Sequence, residues 1–128
     1  MAELRQNTWK LGEWYDQAVA GTQGAYSSSV KELWAWGNND YGQLGQSNTT
    51  NYSSPRQIPG TTWSTVGTAR QSVAAVKSDG TLWTWGRNTS GNLALSNWSG
   101  KESPNQVPGT TWNGACAGDD VFMGTKSD

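Results

Sequence analysis

The chain has no histidine and a single cysteine in 128 residues. Those two shortages remove a Ser-His-Asp or Cys-His nucleophilic centre and a His/Cys zinc site from within it. Cys116 has no second cysteine to pair with, so an intrachain disulfide is excluded and a buried, inert thiol is expected. Charge is also scarce: charged residues make up 15% of the chain and the net charge is −1. The scattered lysines and arginines give no electrostatic footprint for nucleic acid or an anionic membrane. No apolar run approaches membrane-spanning length, so no membrane insertion is expected. Met1-Ala2-Glu3-Leu4-Arg5 lacks the apolar core of a signal peptide, which points to synthesis in a reducing cytoplasm.

What is present in quantity is tryptophan, glycine and small polar residues. Low hydrophobicity with 16 Gly could signal disorder, but nine Trp argue against it, since each can bury a large apolar area. A β-rich protein with an aromatic core on short strands and Gly/Asn turns between them is the better expectation.

The aromatics are placed by a repeat. Lys77-Ser78-Asp79-Gly80 precedes Leu82-Trp83-Thr84-Trp85-Gly86, and Leu33-Trp34-Ala35-Trp36-Gly37 says nearly the same thing 49 residues earlier. At that offset Asn39 matches Asn88, and Gly42 and Leu44 match Gly91 and Leu93. Pro59-Gly60-Thr61-Thr62-Trp63 likewise matches Pro108-Gly109-Thr110-Thr111-Trp112. A gapless match of this length and period indicates a propeller or solenoid. Asp79-Gly80 suits a tight two-residue hairpin, and alternation sets Trp83 and Trp85 on one strand face with Leu82 and Thr84 on the other. Pro55–Pro59 and Pro104–Pro108 read as edge strands, because proline cannot donate to a ladder. Residues 31–79 and 80–128 are thus two blade-like repeats. Trp34, Trp36, Trp63, Trp83, Trp85 and Trp112 recur with the unit and are expected to be core. Trp98 has no repeated counterpart and is a candidate for stacking on a sugar ring or touching a partner.

Residues 1–30 stand outside the repeat. Leu11, Trp14, Tyr15, Ala18 and Val19 follow helical spacing, with Asn7 or Thr8 as N-cap and Gly21 as stop. So short a helix is marginal alone. On the Gly/Ser/Thr linker of residues 21–29 it reads either as an anchor to another protein, through Trp9, Leu11, Trp14, Tyr15 and Val19, or as a helix folding back on the repeats. The fold class expected is all-β, a partial β-propeller preceded by a short N-terminal amphipathic helix.

Trp36-Gly37-Asn38-Asn39-Asp40-Tyr41-Gly42-Gln43-Leu44-Gly45, Ser54-Pro55, Ile58-Pro59 and the junction Ser78–Gly86 resemble the regulator of chromosome condensation repeat. Such repeats usually build a seven-bladed propeller, so the resemblance implies that fold for residues 31–128. The second copy is degenerate, with Gly91-Asn92-Leu93-Ala94. The Gly and His usual before the family's Ala-Leu strand are missing here, where Gln71 and Asp120 lie in that region. The residues with which the founding member exchanges nucleotide on its small GTPase have no counterpart that can be placed. The N-terminal run Leu4–Asp16, followed by a Gly-rich linker and Trp-Gly repeats, looks like structural proteins of marine tailed phages, cyanophages among them. That second resemblance implies a place on the virion, in a tail or fibre.

Asp119-Asp120 is the one acidic pair, and a solvated loop is the expectation over a calcium site. The Asn-x-Ser/Thr sequons are attributed to chance in an Asn/Ser/Thr-rich chain. No cofactor and no metal are expected. Two blades cannot close a propeller, which needs at least about four. The repeats are therefore expected to belong to a longer chain or to an oligomer whose copies complete one another. The function expected is that of a non-enzymatic virion structural protein, made in the host cytoplasm, bound to other virion proteins and presenting its head to a host-surface glycan or protein. An intracellular propeller adaptor or small-GTPase exchange factor is one alternative, and a sugar-binding propeller lectin the other.

Overall fold

A computed structural model describes residues 31–128; the expected N-terminal helix and its anchor residues Trp9, Leu11, Trp14, Tyr15 and Val19 lie outside the described residues. Eight strands follow in chain order: β1 (Leu33–Gly37), β2 (Tyr52–Ile58), β3 (Trp63–Thr68), β4 (Ser72–Lys77), β5 (Leu82–Gly86), β6 (Lys101–Val107), β7 (Trp112–Ala117) and β8 (Phe122–Lys126). Each 49-residue repeat thus carries four strands. They are all antiparallel, but they do not form two four-stranded sheets. The sheets are β1-β2, β3-β4-β5-β6 and β7-β8.

The repeat and the blade are therefore out of phase. The one complete blade takes β3 and β4 from the first repeat and β5 and β6 from the second, and it is flanked by two half-blades. This corrects the expectation of one blade per repeat. The Lys77–Leu82 hairpin, which lies at the repeat junction, sits in the middle of the complete sheet, with Val76 opposite Leu82 and Val73 opposite Trp85. Its turn also differs from the two-residue type. The Gly80 N–H donates to the Lys77 carbonyl and the Lys77 N–H donates to the Thr81 carbonyl. Gly80 takes φ 87° while Asp79 keeps a negative φ, which is a longer loop closed by a left-handed glycine. The Asp79 carboxylate caps the turn, accepting from the Thr81 N–H at 3.1 Å and the Thr81 hydroxyl at 2.6 Å.

β4 runs Ser-Val-Ala-Ala-Val with every residue buried, as expected of a strand covered on both faces. One face packs Val73 and Ala75 with Ile58, Trp63 and Trp85, against Leu33 and Ala35 of β1. The other packs Ala74 and Val76 with Leu82 and Val107, against Trp112, Ala115 and Phe122. Burial thus separates Trp85 from Leu82, as the alternation requires. The Pro-containing strands β2 and β6 are edges, as expected of them. Between the complete blade and β7 the backbones come close: a Cβ on Gly67 would lie 3.2 Å from the Ala115 carbonyl oxygen and from the Cys116 Cα.

Candidate functional site

β1 pairs with β2 on one side; among the described residues its other edge is open. Beside that edge runs a groove of about 450 Å³, bounded by Trp34, Ala35 and Trp36 on β1 and by Arg70, Ser72 and Val73 around the β3–β4 turn. Trp36 is 61% exposed and Trp34 46%. The Trp34 indole N–H donates to the Glu32 carboxylate at 3.1 Å, which steadies the ring on the surface. At one end Gln43 donates to the Asn38 side-chain oxygen at 2.8 Å, and Asn38 in turn donates to Asp40 at 2.9 Å. Arg70 is the one charged residue of the lining. An aromatic slot beside an unpaired strand edge can take an extended polypeptide, through main-chain hydrogen bonds and pockets for alternate side chains. The lining contains no nucleophile with a base beside it and no pair of carboxylates.

The six tryptophans expected in the core divide. Trp63 and Trp85 are buried, and Trp83 joins them edge-on to Trp63, with ring centres 6.5 Å apart at 79°. Trp85 lies 6.0 Å from Trp63, and its indole N–H donates to the Gln43 carbonyl at 2.9 Å. The Lys77 ammonium stands 4.9 Å from the Trp63 ring and 4.7 Å from the Trp83 ring, close enough for cation–π attraction to both. Trp112 is half-buried under Lys126 at the margin of the second cluster. Trp34 and Trp36 are corrected from core to surface, because the strand that would cover β1 is absent from the described sheets. Cys116 is likewise exposed, on the half-blade strand β7 and not inside a core.

Trp98 is 70% exposed and rests on Gly91, away from the groove. Asp119 and Asp120 are exposed in the β7–β8 turn, and among the described residues no group of three potential metal ligands occurs. Asn39 and Asn88 carry a role that repeat matching locates without interpreting. Both are buried. The Asn39 side chain donates to the Asn48 and Thr50 carbonyls, each at 2.9 Å, and accepts from the Leu44 N–H at 2.8 Å. Asn88 does the same with Asn97, Ser99 and Leu93, at 2.8, 3.0 and 2.9 Å. Each asparagine pins one long loop to itself. The signal is there in the residues, since a polar residue kept at the same register of both copies in a Gly-rich loop needs internal partners.

A four-stranded antiparallel blade packed face to face between two half-blades, with the sheet phase shifted from the sequence repeat, defines a β-propeller repeat protein. Residues 32–76 and 79–123 match the regulator of chromosome condensation (RCC1) repeat, and the chain belongs to that family. Among solved structures it resembles human WBSCR16, with a TM-score of 0.63 and 16% identity over 77% of this chain and 32% of that one. It also resembles Prp20p from Saccharomyces cerevisiae, at a TM-score of 0.63 and 16% identity over 76% of this chain and 27% of that one. Prp20p itself has binding properties toward Gsp1p and histones. The chain spans about a third or less of the length of these two relatives. No curated protein sequence matches it.

Proposed function

We propose that residues 31–128 are a non-enzymatic protein-binding module, and that the whole protein is a virion structural component held by its N-terminal block. The groove beside β1 carries the first half of this reading. It combines two exposed indoles with a strand edge that is open among the described residues, a pairing that suits a polypeptide better than a small metabolite. The second half draws on the Leu4–Asp16 run and its likeness to tailed-phage structural proteins, with other virion proteins as partners and a host-surface glycan or protein as ligand. An adaptor or exchange factor in the cell is the alternative, supported by the fold shared with Prp20p. A lectin role draws on the exposure of Trp98.

A photoreactive amino acid at position 36, introduced into the full chain in the cell that makes it, tests the reading. The expected product is a covalent adduct with protein, recovered in purified particles. Absence of protein adducts, with binding to a glycan array that Trp98→Ala abolishes, would replace the reading with the lectin one. Faster nucleotide release from a small GTPase in the presence of the chain would favour the exchange factor.

A further inference from the structure

β7 carries the one Asn-Gly pair of the chain, Asn113-Gly114. The ladder defines its place: Trp112 pairs with Lys126 and Gly114 with Thr125, which leaves Asn113 as the extra residue of a β-bulge. The first repeat has the same bulge between Trp63 and Thr65, with Ser64 as its extra residue. Ser64 is exposed although β7-β8 packs against its blade, so exposure comes with the bulge position. Asn113 is exposed as well. What the second repeat adds is chemistry: a side-chain amide followed by a backbone nitrogen whose residue has no Cβ to crowd it.

We propose that Asn113 is a self-modification site, at which the chain converts its own side-chain amide into an aspartyl or isoaspartyl residue. The backbone nitrogen of Gly114 gives its proton to solvent hydroxide and attacks Cγ of Asn113. An N–Cγ bond forms and the carbonyl electron pair moves onto Oδ1. Return of that pair breaks the Cγ–Nδ2 bond, and Nδ2 takes up a proton and leaves as ammonia. Water then opens the cyclic imide. Breaking N–Cγ gives aspartate, and breaking the bond from nitrogen to the main-chain carbonyl carbon of Asn113 gives isoaspartate. Overall one water enters and one ammonia leaves, with no oxidation or reduction.

The site supplies a group for the ring-closing step. The Thr125 hydroxyl donates to Asn113 Oδ1 at 2.6 Å. That oxygen carries the negative charge of the tetrahedral intermediate, so the hydroxyl stabilises charge where it develops. A Cβ on Gly114 would lie 2.9 Å from the same hydroxyl oxygen, so glycine is what lets the nucleophile and the donor share this corner. The other asparagines among the described residues lack the combination, since each is followed by a residue with a side chain. Asn39 and Asn88 are buried besides, with their amides held by loop carbonyls. Asp79-Gly80 has the glycine but a poor electrophile, a carboxylate that the Thr81 hydroxyl keeps ionised, and its Gly80 N–H is engaged with the Lys77 carbonyl at 3.0 Å.

Conversion changes both charge and register. Asn113 lines a hollow of about 310 Å³ with Lys77, Asp79 and Ser127. Either product adds a negative charge to a hollow that already holds the Asp79 carboxylate, in a chain of net charge −1. Isoaspartate also lengthens the β7 backbone by a methylene between the Trp112–Lys126 and Gly114–Thr125 pairs, so the two pairs no longer fit one register.

The test incubates the full chain at mildly alkaline pH in water enriched in heavy oxygen and maps its peptides by mass. The peptide spanning Asn113 should be the first asparagine peptide to exchange its amide for a carboxyl group, with uptake of heavy oxygen and with isoaspartate among the products. Thr125→Val gives β8 the residue that β4 has at Val76 and should slow the conversion about fivefold, the loss of one hydrogen bond of ordinary strength. Thr125→Ala should slow it equally and Thr125→Ser should keep the native rate, with the β-sheet circular dichroism retained in all three. Conversion that begins at another asparagine, an Asn113 that stays intact, or a rate that loss of the Thr125 hydroxyl leaves unchanged or raises would overturn the inference.

Discussion

Trp85 and Trp36 hold the same place in the two copies of one motif, yet the first is wholly buried and the second lies mostly in solvent. The strands around them are as alike as the residues: Leu82–Gly86 against Leu33–Gly37. What differs is the neighbour. Trp85 has β4 beside it and the Gln43 loop of the preceding repeat over it, whereas the edge of β1 beside Trp36 is open among the described residues. In a stacked repeat, burial belongs to the position between blades and not to the side chain, so a core residue can be identified only once the flanking sheet is known.

The largest break in that comparison should come from truncating the two indoles. Trp85→Ala should destabilise the fold by about 3–5 kcal/mol, since it empties a packed site and removes the hydrogen bond to Gln43. Trp36→Ala should cost under about 1 kcal/mol, because the ring lies mostly in solvent. Urea titrations of both variants at two protein concentrations measure this. Equal losses for the two would show that the half-blade is as well covered as the complete one.

Next in size is the buried asparagine pair. Asn88→Ala leaves the Leu93 N–H and two loop carbonyls without a partner and should cost about 2–3 kcal/mol. Asn39→Ala should cost about as much, because Asn39 makes the same three contacts and adds one longer donation, to the Asn48 side-chain oxygen at 3.1 Å. Thermal melts decide whether the equality holds across an interior and a terminal loop.

A smaller effect is expected at the junction turn. The hydrogen bond from the Thr81 hydroxyl holds the Asp79 carboxyl below its ordinary value. A carboxylate with a lowered folded pKa contributes its stability above its unfolded value near pH 3.8 and loses it as pH falls through the lower folded value. Asp79→Asn should therefore lower stability slightly at neutrality, where the carboxylate is ionised, and flatten the acid limb below about pH 4, where the two chains converge. The smallest effect belongs to Trp98→Ala, within about 0.5 kcal/mol in a chemical melt, because the ring is exposed.

Much of this fold is legible in the residues, and the rest fails for a definable reason. The offset between Trp34-Ala35-Trp36-Gly37 and Trp83-Thr84-Trp85-Gly86 gives the period, and proline gives the edge strands β2 and β6. A period carries no phase, however. Nothing local to Asp79-Gly80 says whether that turn joins two blades or lies inside one, since the answer depends on pairing between β4 and β5. Trp36 and Cys116 are misplaced for the same cause, because residue type suggests an interior and only the facing sheet decides it. The groove has no signature in the sequence, because it depends on β1 having an open edge among the described residues and not on any motif.

The phase of the blade is the claim on which the rest depends, and amide hydrogen exchange of the full chain reads it directly. With chains kept apart by dilution, the slowest-exchanging amides should fall in Ser72–Lys77 and Leu82–Gly86, on both sides of the repeat junction, with β1 and β8 exchanging much faster. Two equally protected blocks, residues 31–79 and 80–128, with fast exchange through β4 and β5, would contradict it.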